Sequence, residues 1–170
     1  QTLLKSCFHD MLRLRHFDQQ AILLHRKGML RTFPSCQGQE ALSIGLSHAM
    51  RQQDVFCPYY RDHGTIWKRG ATWEQLLLFW AGCEQGNLYC NQYNLPAAIP
   101  IASQCAHGVG AALAAKYKRT NQVAFVTLGD GATSKGDFYE SINFAGSHKL
   151  PIVFVINNNQ WAISMPRKTQ

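Results

Sequence analysis

Two short apolar runs constrain this chain most. Residues 123–128 read Val-Ala-Phe-Val-Thr-Leu and residues 151–156 read Pro-Ile-Val-Phe-Val-Ile, nearly unbroken in hydrophobicity. Strands of a parallel sheet that are covered on both faces read this way, because neither face meets water. Between the runs, Phe138, Ile142 and Ala145 fall at helical spacing over residues 137–148. Strand, helix and strand within about 30 residues make a βαβ unit, whose crossover is right-handed. The expected fold class is therefore α/β, a parallel sheet flanked by helices. With 170 residues, 46% of them hydrophobic and 16% charged, the chain can bury a core, which excludes a disordered or collagen-like polymer.

The rest of the chain supplies helices for that sheet. From residue 3 to residue 27 apolar side chains (Leu4, Cys7, Phe8, Met11, Leu12, Leu14, Phe17, Ile22) recur at steps of three and four, with Gly28 placed to cap the end. A turn through Phe33-Pro34-Ser35 leads to a second helix over residues 41–50. Residues 58–64 read as a loop, and Thr72-Trp73-Glu74-Gln75 is a capping box that opens a helix to Ala81. Residues 82–100, interrupted by Gly82, Gly86, Pro96 and Pro100, are expected to be irregular. Over residues 103–118 the small residues Ala106, Gly108, Gly110, Ala111, Ala112, Ala114 and Ala115 make a helix built for close approach to a neighbour.

A net charge of +7 admits an anionic partner: nucleic acid, a membrane surface or a phosphorylated ligand. The basic residues of the first helix (Arg13, Arg15, Arg26, Lys27) could serve such a partner, although a solvated helix face is the commoner outcome for such a pattern. No apolar stretch approaches the roughly 20 residues that span a bilayer. The six cysteines (Cys7, Cys36, Cys57, Cys83, Cys90, Cys105) are scattered, which signals neither a zinc site nor a disulfide framework and suits a reducing compartment.

The chemistry concentrates where the two strands end. The first runs into Gly129-Asp130-Gly131-Ala132-Thr133-Ser134 and the second into Asn157-Asn158-Asn159-Gln160-Trp161. Ligands of open α/β sheets bind beyond the carboxyl ends of the strands, so the two polar clusters are expected to face one another. Asp130 offers an anionic oxygen and an Asn of the triplet a neutral one, which suits Mg²⁺ when a diphosphate completes its octahedron. The glycines beside Asp130 let a diphosphate approach the backbone, and amides of the following turn can donate to it. Gly108-x-Gly110 is not read as a dinucleotide fingerprint, since no strand precedes it.

Several segments together resemble the alpha subunit of the thiamine diphosphate-dependent dehydrogenase component of 2-oxo acid dehydrogenase complexes: GDGATSKGDFYESINFAG at 129–146, LPIVFVI at 150–156, NNQWAIS at 158–164, YRDHG at 60–64 and GQEA at 38–41. The resemblance is greatest to bacterial pyruvate dehydrogenase alpha subunits and next to branched-chain 2-oxo acid dehydrogenases. It implies a thiamine diphosphate-binding fold of the pyrophosphate-binding type, with residues 1–170 as one domain opened by the helix at 1–28 and lacking the family's C-terminal part. It also implies Asp130 and Asn159 as magnesium ligands through their side chains and Trp161 through its backbone carbonyl. Gly131 and Ala132 would contact the diphosphate by their backbone, with Tyr60 beside Arg61 and Arg61 pairing to the diphosphate. The Ile99 carbonyl would take the aminopyrimidine, and Ile101 would hold the cofactor bent so that its own imine nitrogen reaches thiazolium C2.

The activity implied is oxidative decarboxylation of a 2-oxo acid, most simply pyruvate, with transfer of the acyl group to a lipoyl carrier. The implied partners are a beta subunit in a two-alpha, two-beta assembly and a lipoyl acyltransferase, with neither nucleic acid nor membrane. The location would be the bacterial cytoplasm, or the mitochondrial matrix in a eukaryote. The activating glutamate of this family comes from the beta subunit, so no catalytic base is assigned here and Glu40 is read as a structural carboxylate. His63 is open between a relay and a structural role, and apolar Phe33-Pro34 leaves pyruvate and branched-chain substrates both open. Alternatives are an acetoin dehydrogenase or transketolase-like subunit, a basic nucleic-acid-binding module and a non-catalytic remnant.

Overall fold

A computed structural model describes residues 2–169. The chain forms two compact units, one comprising the residues up to Gln52 with Arg61–Asn91, the other Gln53–Tyr60 with Gln92 onward.

The first unit is helical: α1 (Thr2–Arg26), α2 (Glu40–Ala49), α3 (His63–Lys68), α4 (Trp73–Ala81) and a 3₁₀ turn at Glu84–Asn87. The inward face of α1 is Asp10, Leu14, Phe17, Asp18 and Ala21. The apolar series expected there is only partly inward, for Leu4, Phe8 and Leu12 are exposed. Gly28 takes the left-handed conformation at φ 74° just past α1, as the cap reading requires. Two residues of the basic helix face are held by the fold, Arg15 by pairing with Glu40 and Arg13 by its guanidinium lying 4.8 Å from the ring centre of Trp67, while Arg26 and Lys27 are exposed. The capping box forms as read, with Gln75 N–H donating to Thr72 Oγ1 at 3.2 Å and Thr72 N–H to Gln75 Oε1 at 2.9 Å.

The second unit holds the sheet. Strands β1 (Val55–Cys57), β2 (Ala124–Gly129) and β3 (Ile152–Asn157) run parallel in the order β1-β2-β3. Register pairs Cys57 with Val126 and Gly129 with Asn157. Helix α5 (Ser103–Tyr117) packs on all three strands and beside α6 (Gly136–Ser147), the helix of the βαβ unit. The core between them consists of Val55, Cys57, Ala102, Cys105, Val126, Leu128, Ala132 and Phe138. Gly108 permits the approach: a Cβ there would lie 2.1 Å from Val126 Cγ2. Gly110 has no such neighbour and is exposed.

Three readings of the sequence need correction. Strand β1 was absent from the expected order, because three residues are too few to show a period. Residues 58–64 are not wholly loop, since α3 already begins at His63. The run at 151–156 is not fully covered: among the described residues β3 is an end strand of the sheet, and Val153 and Ile156 are 41% and 42% exposed. Within residues 82–100, the stretch 94–98 lies parallel to β1 through bridges Phe56–Asn94 and Tyr59–Ala98.

Candidate functional site

Every segment singled out in the second unit comes to the carboxyl ends of the strands. Gly129 and Asn157 stand side by side in the ladder, so the next residues, Asp130 and Asn158, leave the sheet at one level. Asp130 opens a 3₁₀ turn to Ser134, closed by the Thr133 hydroxyl donating to the Asp130 carbonyl at 2.7 Å. Ala132 turns its side chain into the core, which leaves only its backbone for a ligand. The first amides of the turn have no acceptor within it, by the geometry of any helix start. Asp130 is 6% exposed and its Oδ2 is buried with no hydrogen-bond partner. An unpaired buried carboxylate oxygen costs free energy that a bound cation or donor would recover.

The Asn triplet folds into tight side-chain turns. Asn158 Oδ1 accepts the Gln160 N–H at 3.1 Å, and Asn159 Oδ1 accepts the Trp161 N–H at 2.9 Å. The Asn159 oxygen keeps a second lone pair. Trp161 opens β4 (Trp161–Ala162), which pairs with β5 (Met165–Pro166) and packs against the turn that carries Asp130. Pro166, opposite Trp161, has no N–H to give to the Trp161 carbonyl.

On the other side of β2, Tyr59 N–H donates to Thr127 Oγ1 at 3.2 Å, and Asn157 Nδ2 donates to the Tyr59 hydroxyl at 2.8 Å. The ring of Tyr60 lies 5.2 Å from that of Tyr59. Ile99 and Ile101 flank Pro100 at a corner next to β1, held by Ala98 N–H on the Pro58 carbonyl at 3.0 Å. They are 49% and 41% exposed. Ala102 follows at φ 66°, a left-handed residue that turns the chain into α5.

Arg61 belongs to the first unit, where its Nε–H donates to the Ser35 carbonyl at 2.8 Å. His63, 1% exposed, accepts the indole N–H of Trp80 on Nε2 at 2.9 Å and is stacked on Phe33. Burial, offset in part by Asp18 and reinforced by Arg61, pushes its pKa down to about 4, so the ring is neutral. Glu40 is buried and fully engaged, one oxygen by Arg15 and the other by the Gly38 N–H at 2.9 Å. Although burial raises its pKa, these bonds outweigh that and hold it below the usual range. Tyr59 and Asp18 were missed by sequence reasoning, and Asn157 was read only as one of the Asn triplet. For Asp18 a signal existed, an acid in register with Leu14, Phe17 and Ala21.

A profile of the dehydrogenase E1 component matches residues 9–170. The chain belongs to the dehydrogenase E1 component family. Among curated relatives of this E1 chain, the pyruvate dehydrogenase E1 component subunit alpha of Acholeplasma laidlawii is 42% identical over 98% of this chain and 48% of its own length. The 3-methyl-2-oxobutanoate dehydrogenase subunit alpha of Mycobacterium tuberculosis is 38% identical over 98% of this chain and 46% of its own. The 2-oxoisovalerate dehydrogenase subunit alpha of Bacillus subtilis is 36% identical over 96% of this chain and 53% of its own. The E1 chain thus spans about half the length of these relatives. Among the described residues, no helix is long and apolar enough to cross a membrane.

Proposed function

We propose that this E1 chain supplies the cofactor-binding part of the alpha subunit of a thiamine diphosphate- and Mg²⁺-dependent 2-oxo acid dehydrogenase. The observation that carries the reading is the buried, unpartnered Oδ2 of Asp130 at the end of β2. An acid kept there without a partner fits a cation. The Asn159 side-chain oxygen and the Trp161 backbone carbonyl would complete an all-oxygen donor set of the kind Mg²⁺ takes together with diphosphate oxygens.

Asp130 and Asn159 would hold the metal by side-chain oxygens and Trp161 by its carbonyl. Gly131 and Ala132 would donate backbone N–H groups to the diphosphate, and Arg61, with Tyr60 beside it, would add a charge-assisted contact. Ile99 would present its carbonyl to the pyrimidine and Ile101 its branched side chain as a prop. When bound, thiamine diphosphate supplies the nucleophilic carbon and the electron sink that decarboxylation of a 2-oxo acid needs. The residues of this chain bind and orient, and no group among them is assigned the catalytic proton transfer. Residues 1–170 would act as one thiamine diphosphate-binding domain.

The partners would be a beta subunit, two of each chain per assembly, and a lipoyl acyltransferase that takes the acyl group. The setting would be a bacterial cytoplasm or a mitochondrial matrix. Pyruvate is the simplest substrate, and the relatives named for 3-methyl-2-oxobutanoate and 2-oxoisovalerate support a branched-chain alternative. The test is substrate-dependent CO₂ release by the full chain assembled with its beta subunit, with pyruvate and 3-methyl-2-oxobutanoate compared and a lipoylated domain as acceptor. Turnover of either acid with acylation of the lipoyl group supports the proposal. Ketol transfer without lipoyl acylation contradicts it.

A further inference from the structure

Asp18 lies on the inward face of α1 among Leu14, Phe17 and Ala21, where the helical period asks for another apolar side chain. It is 0% exposed, and a carboxylate kept at such a position needs partners. Both partners come from one dipeptide. Oδ2 accepts the Ser35 hydroxyl at 2.7 Å and Oδ1 accepts the Cys36 backbone N–H at 2.8 Å. That dipeptide in turn holds Arg61, whose Nε–H donates to the Ser35 carbonyl at 2.8 Å. A guanidinium is rigid, so holding Nε–H on the Ser35 carbonyl restricts the directions in which both terminal nitrogens can point.

We propose that Asp18 is a positioning residue for Arg61: it grips the Ser35–Cys36 step, and through the Ser35 carbonyl sets the orientation in which Arg61 meets a diphosphate. This rests on the reading above that Arg61 pairs with the cofactor diphosphate, and deepens it by naming what aims the arginine. Asp18, Cys36 and His63 also lie close enough to suggest a cation site, with one ligand atom of each within 4.8 Å of the others. Their protonation argues against one. Trp80 can only donate, so His63 Nε2 is the acceptor and Nδ1 carries the proton. Burial and the nearby Asp18 push the Cys36 thiol up, keeping it protonated. Both Asp18 oxygens already accept hydrogen bonds. The cluster is arranged to orient a backbone step, not to chelate.

The experiment is a double-mutant cycle on the full chain assembled with its beta subunit, read as thiamine diphosphate affinity by calorimetry in saturating Mg²⁺. The variants are Asp18→Asn, Arg61→Ala and the pair, with Ser35→Ala as a second route to the same link. The expected result is a loss of roughly tenfold for Asp18→Asn when Arg61 is present, and less than twofold when Arg61 is already alanine. Ser35→Ala should show the same dependence on Arg61 with a smaller loss, and it decides the matter if Asp18→Asn does not assemble. An equal loss in both backgrounds, or no loss in either, overturns the inference while leaving Arg61 as a ligand. Unchanged affinity in Arg61→Ala alone overturns the reading of Arg61 itself, and the inference with it.

Discussion

The indole N–H of Trp80 donates to Nε2 of His63 across 2.9 Å, inside a ring cluster in which Phe33 stacks on the same imidazole. The bond fixes the neutral tautomer, and burial carries the pKa from 6.5 to about 4. Because the folded state has the lower pKa, the unfolded chain binds more protons between those values and stability falls with acidification. Through its lowered pKa, His63 should contribute fully above pH 6.5 and lose about 3 kcal/mol as the pH falls to 4. Urea midpoints across that range, compared with His63→Gln, check this. The wild type should show the steeper acid loss, and parallel curves would contradict a buried neutral His63.

Gly108 and Gly110 sit two residues apart on α5 and should respond oppositely to alanine. A Cβ at 108 would stand 2.1 Å from Val126 Cγ2, so Gly108→Ala must push helix from sheet, at a cost of about 2 kcal/mol. A Cβ at 110 meets nothing within 4 Å, so Gly110→Ala should add about 0.5–1 kcal/mol by helix propensity. Denaturant unfolding of both variants reads the two signs.

The capping box of α4 has a separable value. Thr72→Ala removes the acceptor for the Gln75 N–H and should cost about 1 kcal/mol, whereas Thr72→Ser, which keeps the oxygen, should stay near wild type. Thermal midpoints of the two variants decide, and equal losses would assign the effect to the lost methyl group.

Asp130 should trade stability for binding. Removing its carboxylate takes away a buried oxygen that has no hydrogen-bond partner, so Asp130→Ala should stabilise the ligand-free protein by about 1 kcal/mol. Chemical unfolding with a chelator present measures it, and destabilisation by the same amount would mean the carboxylate is a structural group.

Much of this fold was legible because its signals are local. The apolar runs at 123–128 and 151–156, the helix between them and the Thr72 box each specify themselves within a dozen residues, and each forms near its expected place. What was hidden depends on distant partners. Strand β1 exists because Val55, Phe56 and Cys57 pair with residues 124–126, nearly 70 positions away. Val153 and Ile156 lie on opposite faces of β3, and that both are exposed depends on what packs over an end strand, which periodicity cannot reveal. The same holds for the candidate site. Asp130 and the Asn triplet announce themselves as polar clusters after apolar strands, while Asp18 becomes informative only once its oxygens are seen to hold Ser35 and Cys36.

Whether Asp130 holds a metal ion that brings thiamine diphosphate to the end of β2 is tested most directly by calorimetric titration of the cofactor. The titration is run with and without Mg²⁺ into the full chain assembled with its beta subunit, wild type against Asp130→Ala. Tight binding that requires Mg²⁺ and is lost in the variant is the expected result. Binding that is indifferent to Mg²⁺, or retained in Asp130→Ala, would contradict it.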